Sequence, residues 1–331
     1  MADTSATDVE FAGRATPDPE GETPRPAATR RAGPLARFFD SDLWYSFKRS
    51  PLTVVAAVVF LLIVFGAVFA VWLAPHDPLS PMTMDARTPP FGTSYMGNYF
   101  ILGSDNQGRG VLSAILYGLQ ISLSVGLCSV LFAMVLGVGL GLLAGYKGGW
   151  VDALIMRIAD IQLSFPAILI ALLVDGVTRE LLGQSQRQAD LAFWVLTFSI
   201  GFSLWVQYAR TVRGSTLVER NKEYVQAARV IGIHPLLIMF RHVLPNVTGP
   251  VLVIATIGLA IAIITEATLS FLGVGFPPTR PSLGTLIQQG QQVLGSEWWI
   301  ATFSGLALVL LALSVNLLGD WLRDALNPKL R

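Results

Sequence analysis

The stretch RTVRGSTLVERNKEYVQAARVIGIHPLLIMFRHVLPNVTG, residues 210–249, is a polar insert of 40 residues between two long apolar runs. Connections between packed helices are usually only a few residues, so an insert of this length has structure of its own. Its first half, about 216–231, reads as a helix with Leu217, Tyr224, Ala228 and Ile231 near one face. Its second half, about 235–244, reads as another, with Leu236, Ile238, Met239 and Leu244 on its apolar side. Gly232 lies between them, where a residue without a Cβ permits a sharp bend. Pro235 suits the first turn of the second helix. The pattern predicts a helix-turn-helix elbow projecting from a membrane.

The membrane follows from what flanks the elbow. The chain has 331 residues, 53% of them hydrophobic and 14% charged, against about 25% charged in a soluble domain. Its mean hydropathy is +0.57. These values exclude a disordered chain and argue against a soluble globular enzyme, and a net charge of +1 gives no electrostatic reason to bind nucleic acid. A spanning helix needs about 20 apolar residues. Six runs qualify, at about 52–73, 121–143, 158–177, 191–209, 250–272 and 299–318. The third contains Pro166, which a membrane helix can tolerate if neighbours satisfy the freed carbonyl.

With the N-terminus inside, 18 of the 23 Lys and Arg fall in cytoplasmic segments, which predicts both termini in the cytoplasm. Residues 1–36, rich in proline and mixed charge, are expected to be a disordered cytoplasmic tail, and 37–51 a juxtamembrane segment. Residues 74–120 are expected as an external loop ending in a short interfacial helix. Residues 121–320 are the membrane core, with the cytoplasmic loop at 210–246, and 321–331 a cytoplasmic tail. A second external segment, 273–298, ends at Trp298 and Trp299, placed as an aromatic belt would place them.

Catalytic chemistry has no visible seat in the chain. Cys128 is the single cysteine and lies in an apolar run, and His76, His234 and His242 have no metal-ligand spacing. The sequence contains no GxxxxGK[ST], HExxH or GxSxG. No catalytic residue, metal site or cofactor is expected. Two charges fall within spans. Glu266 is a candidate for lining a translocation path or gate, or else a structural partner at a helix interface. Asp160 is expected to pair with Arg157, three residues back on the same helix. Gly137, Gly139 and Gly141 read as a surface for close helix packing.

The segment QAARVIG (226–232), followed nine residues later by HVLP (242–245), resembles the EAA loop of ABC-importer permeases. Ala227, Ala228, Gly232, Leu244 and Pro245 match the family's pattern by position. Gln226 stands where the family has glutamate, His242 where it has isoleucine, and Glu223 is a carboxylate one turn earlier that could stand in. In that family the loop is a coupling helix that docks into a groove on the ATPase subunit. Small residues would allow close approach there, and the basic flank would offer charges to an acidic groove.

LGSDNQGRGVLS (102–113), AGYKGGWVD (144–152), SFPAILIALL (164–173), EATLSFLGVGFPP (266–278) and NLLGDWLRDALNPKLR (316–331) are similar in order and spacing to the dipeptide, oligopeptide and nickel subgroup, and to the second, C-type, of its two permease subunits. Gly110 takes the place of that subgroup's aspartate. The resemblance implies an all-α type I ABC importer transmembrane domain of six helices in a bacterial plasma (inner) membrane. It implies four kinds of partner: a second, dissimilar permease subunit, two ABC ATPases that hold ATP and Mg, an extracytoplasmic substrate-binding protein, and membrane lipid. The expected cargo is short peptides or peptide-like solutes. A nickel or glutathione importer of the same subgroup, or a secondary transporter, is the alternative.

Overall fold

Two helices of 37 residues without a break, Val111–Lys147 and Pro235–Phe271, dominate the architecture, and most of the other helices pack on or between them. The computed structural model describes residues 47–79, 83–182, 188–277 and 279–326. The tail expected at 1–36 lies outside the described residues. In chain order the helices are α1 (Pro51–Val68), α2 (Ala70–Leu73), α3 (Val111–Lys147), α4 (Gly149–Leu163), α5 (Ala167–Leu182), α6 (Gln188–Glu219), α7 (Glu223–Val230) and α8 (Pro235–Ile238). A π-turn, Met239–Val243, joins α8 to α9 (Leu244–Phe271), and α10 (Leu283–Gln292) and α11 (Trp298–Ala325) complete the chain. The strands β1 (Gly92–Thr93) and β2 (Tyr99–Phe100) pair antiparallel between α2 and α3.

Helices are the expected solution where no water can satisfy backbone groups. α1 starts on an N-cap, with Ser50 accepting from the Thr53 amide and Pro51 in the first turn. It buries little beyond Thr53, Ala56, Gly66 and Ala67, while Leu61, Leu62 and Phe65 face outward, as lipid contact requires. Among the described residues, five helical runs are long and apolar enough to cross a membrane: Pro51–Val68, Val111–Lys147, Leu191–Glu219, Pro235–Phe271 and Trp298–Ala325.

The third expected span is not one helix. Gly149–Leu163 and Ile168–Thr178 meet at 84°. Pro166 has no N–H to donate, and the residue before a proline, here Phe165, is disfavoured in α geometry. The break is fixed from α6: the Gln162 side chain donates to the Phe202 carbonyl and accepts from Trp205 Nε1 at 2.5 Å.

Two other expectations are corrected, and a further segment carries a helix that was not expected. The interfacial helix expected before residue 121 is the first part of α3, because nothing between 111 and 121 stops the helix. The elbow's second helix, expected to end near 244, runs straight into the fifth span. The segment 273–298 holds α10, opened by a capping box between Ser282 and Thr285.

α3 lies along α6, and its glycines determine how closely. A Cβ on Gly137 would strike the Trp205 carbonyl, one on Gly141 the Ala209 carbonyl, and one on Gly145 the Thr216 side chain. Gly139 faces open space. The packing stripe therefore repeats every four residues, as neighbouring positions on one helix face do. Two apolar cores result. One joins α3, α6, α9 and the elbow through Leu142, Trp205, Ile238 and Val243. The other joins α1, α3, α10 and α11 through Ile115, Leu283, Leu286 and Leu311.

Candidate functional site

The elbow is built from the end of α6 onward. α6 runs to Glu219, and the chain turns through Arg220–Lys222 before α7, so the single helix expected over 216–231 is two. α7 buries Val225 and Ala228; of the face expected from Leu217, Tyr224, Ala228 and Ile231, Ala228 is buried, Tyr224 and Ile231 are exposed, and Leu217 lies on α6. Gly232 then takes φ +85°, a conformation that L side chains resist. No atom lies within 4 Å of where its Cβ would stand, so backbone conformation alone demands glycine. His234 Nδ1 accepts from the Leu236 amide and Pro235 opens α8. Ile238, Met239 and Val243 seat this limb in the core, whereas Leu236, assigned to the buried face by periodicity, is exposed.

What the elbow leaves outside is apolar. Val230 is 88% exposed and Ile231 77%, with Leu236, Leu237 and Phe240 each about half exposed or more. An exposed apolar cluster of this kind on a loop marks an interaction surface. Beside it runs a groove of about 680 Å³, lined among others by Tyr146, Lys147, Arg229, Pro235 and Met239.

The expected coupling residues divide by place. Glu223, Gln226 and Ala227 are exposed on α7, and Ala228 packs inward. The Gln226 amide donates to the Asn221 carbonyl at 3.0 Å and so closes the turn before α7. The His242 carbonyl accepts from the Asn246 side chain at 2.7 Å. Leu244 and Pro245 open α9, and the Leu244 amide reaches back five residues to the Met239 carbonyl, which forms the π-turn.

Much of the expected basic flank is engaged within the chain. Arg213 forks onto the Asp152 carboxylate, Nη2 to Oδ2 at 2.6 Å. Arg220 Nη1 donates to the Gly145 carbonyl at 2.9 Å, and Arg229 stacks over the Tyr146 ring at 4.9 Å. Asp160 pairs with Arg210 on α6 at 2.6 Å and not with Arg157 as expected, since the end of α4 crosses α6 there.

At the other end of the helices, Glu266 is fully buried in α9. Its Oε2 accepts from Ser122 of α3 at 2.6 Å and its Oε1 from Ser270 at 2.7 Å. The Ser282 side chain, at the start of α10, also bonds it. Glu266 is absent from the lining of the nearby cavity of about 550 Å³, formed by Tyr117, Gln120, Ser124, Phe193, Trp194, Phe276 and Arg280, among others. The serines were legible only in part: Ser270 stands four residues after Glu266 in EATLS, but Ser122 lies 144 residues away.

Ser104, Asp105 and Arg109, ahead of α3, form a buried polar knot. Asp105 and Arg109 are 0% and 1% exposed and pair at 2.7 Å, while Arg109 Nη2 also donates to Gln289 of α10 at 3.1 Å. Trp299 is buried and donates to the Ser104 carbonyl at 3.1 Å, which removes it from the expected aromatic belt and leaves Trp298 exposed. Among the described residues, no group of His, Cys, Asp and Glu could hold a metal ion.

Known proteins share both the sequence and the fold. Residues 137–331 match the family described as binding-protein-dependent transport system inner membrane component, and 39–90 match the N-terminal TM domain of oligopeptide transport permease C. The chain is 36% identical to the di/tripeptide transport system permease protein DppC of Pseudomonas aeruginosa, over 88% of this chain and 92% of that one. It is 40% identical to the dipeptide transport system permease protein DppC of Escherichia coli K12, over 88% and 93%. It is 37% identical to the glutathione transport system permease protein GsiD of Pectobacterium atrosepticum, over 88% and 91%. Among solved structures, the inward-facing MetNI methionine ABC transporter has a chain that superposes with a TM-score of 0.52 at 21% identity, covering 65% of this chain and 96% of that one.

Proposed function

This chain belongs to the family of binding-protein-dependent transport system inner membrane components, the non-catalytic permease subunits of ABC importers, and on that premise we propose that it forms half of a translocation pathway for short peptides or peptide-like solutes. It is a multi-pass inner-membrane protein. Permeases of this family work with a partner permease, ATPases and a substrate-binding protein. The partners proposed for this chain are a dissimilar second permease, two ATPases holding ATP and Mg, and an extracytoplasmic binding protein. The proposed orientation places both termini and the elbow in the cytoplasm, as the Lys and Arg bias indicates.

The observation that carries this reading is the exposed apolar cluster at the Gly232 bend, where Val230 and Ile231 have no core to enter. The cluster docks on an ATPase. Glu223 offers a carboxylate there, since the Gln226 amide is used within the turn. ATP binding then favours one arrangement of the elbows, and the spans follow by differential stabilisation of two states. The cavity at the opposite ends of α3 and α6 has the size and mixed apolar and polar lining of a small-ligand site. It is the receiving surface for peptide, with glutathione within the same class. Glu266 holds α10 in place behind it.

The test is isolation of the tagged chain from its native membrane in mild detergent. Two P-loop ATPases and a second multi-span subunit are expected to co-purify, and Ile231→Cys is expected to cross-link to an ATPase. Recovery of the chain without ATPases would refute the reading.

A further inference from the structure

One phenol sits where three segments of the elbow meet. The Tyr224 hydroxyl, in the first turn of α7, donates to Glu219 Oε2 at 2.5 Å, on the last residue of α6. It accepts from Asn246 Nδ2 at 3.2 Å, in the first turn of α9. The same Asn246 amide donates to the His242 carbonyl in the π-turn at 2.7 Å. On the far side, Lys222 Nζ donates to Glu219 Oε1 at 2.6 Å. A chain of polar contacts, Lys222–Glu219–Tyr224–Asn246, thus runs from the end of α6 to the start of α9 and bypasses the Gly232 bend. Burial and the adjacent Glu219 carboxylate push the Tyr224 phenol up to about 12, so its proton stays in place at neutral pH.

This role is not the one that periodicity assigns. Periodicity places Tyr224 on an apolar face, yet Tyr224 is 37% exposed while Val225 and Ala228 are buried. The ring carries the hydroxyl to a point that Glu219 and Asn246 both reach. Without it, the two limbs are joined by the chain through Gly232 and by apolar contacts, which resist shear less than directional bonds do.

We infer that Tyr224 is a positioning residue for coupling, which locks the start of α9 to the end of α6 so that a displacement of the elbow is passed to the spans. The inference rests on the importer reading above. The test uses the complete complex in liposomes, with uptake of a labelled dipeptide and ATP hydrolysis measured in the same vesicles. Tyr224→Phe keeps the ring and deletes one hydroxyl. Dipeptide carried per ATP is expected to fall about fivefold, the factor to which one hydrogen bond's net contribution converts. Asn246→Ala is expected to lower it similarly, and the double variant no further than either alone. Glu219→Gln, which keeps an acceptor for the phenol, is expected to stay close to the unmodified ratio, while Glu219→Ala falls with Tyr224→Phe. A merely structural role would lower complex yield or Tm without moving the ratio. An unchanged ratio in Tyr224→Phe overturns the inference, as do losses that add in the double variant. If Tyr224→Phe does not assemble, the Glu219→Gln and Glu219→Ala pair decides, and equal ratios in the two overturn it. Failure of the importer reading is visible separately, as an unmodified complex without dipeptide-stimulated hydrolysis, and it would overturn this inference too.

Discussion

The Ser122 hydroxyl donates to Glu266 Oε2 at 2.6 Å and so bonds the N-terminal half of α3 to α9 through a carboxylate that no solvent reaches. Glu266→Ala removes the shared acceptor of Ser122, Ser270 and Ser282 at once. The expected cost is about 1–3 kcal/mol of stability, read as a lowered Tm of the detergent-solubilised complex. Ser122→Ala removes one donor of several and is expected to cost roughly half as much or less.

The glycine stripe gives a sharper contrast. Gly141→Leu would drive a side chain into the Ala209 backbone and is expected to prevent α3 from packing on α6. Gly139→Leu, two residues away and facing open space, is expected to leave the membrane level unchanged. Quantitative immunoblotting of membranes separates the two, and equal levels would show that α3 and α6 do not approach this closely.

Gly232→Val forces a β-branched residue into the left-handed region, at an expected cost of about 1–2 kcal/mol or more. The chain is expected to insert and assemble yet lose stimulation of ATP hydrolysis. Gly232→Asn, which tolerates this conformation better, is expected to retain most of it. The ratio of the two hydrolysis rates is the measurement.

Asp105→Ala leaves the Arg109 guanidinium buried beside Gln289 without its carboxylate. Breaking a buried pair from one side costs about 3–5 kcal/mol, so the complex is expected to accumulate poorly. Asp105→Ala combined with Arg109→Met removes both charges and is expected to recover part of the loss. Thermal stability of the two complexes checks it.

The apolar runs were legible because membrane helices are written in long stretches of one composition. Their limits were not. The boundary near residue 121 failed because no cap or proline separates the start of α3, VLSAILYGLQ, from the rest of the helix. Pro166 reads as tolerated within a span, whereas the helix breaks there at 84°, and the Gln162 contacts that hold the break lie 40 or more residues away on α6. The elbow's bend was readable from Gly232 because the requirement is local. The partners of its arginines were not, since Arg213 and Asp152 lie 61 residues apart and Arg220 bonds a carbonyl 75 residues away. α10 was missed although Ser282 and Thr285 stand at capping-box spacing, a signal that needs no alignment to see.

The run Pro235–Phe271 joins the elbow to the fifth span without a loop. At 1.5 Å per residue its 37 residues make a lever about 55 Å long. With a fulcrum near its middle, a tilt of about ten degrees moves each end by about 5 Å, roughly one helical turn. A shallow rocking motion at the elbow end is therefore delivered at full amplitude to the Phe271 end, with the direction reversed, and moves Glu266, closer to the fulcrum, by about 3.4 Å.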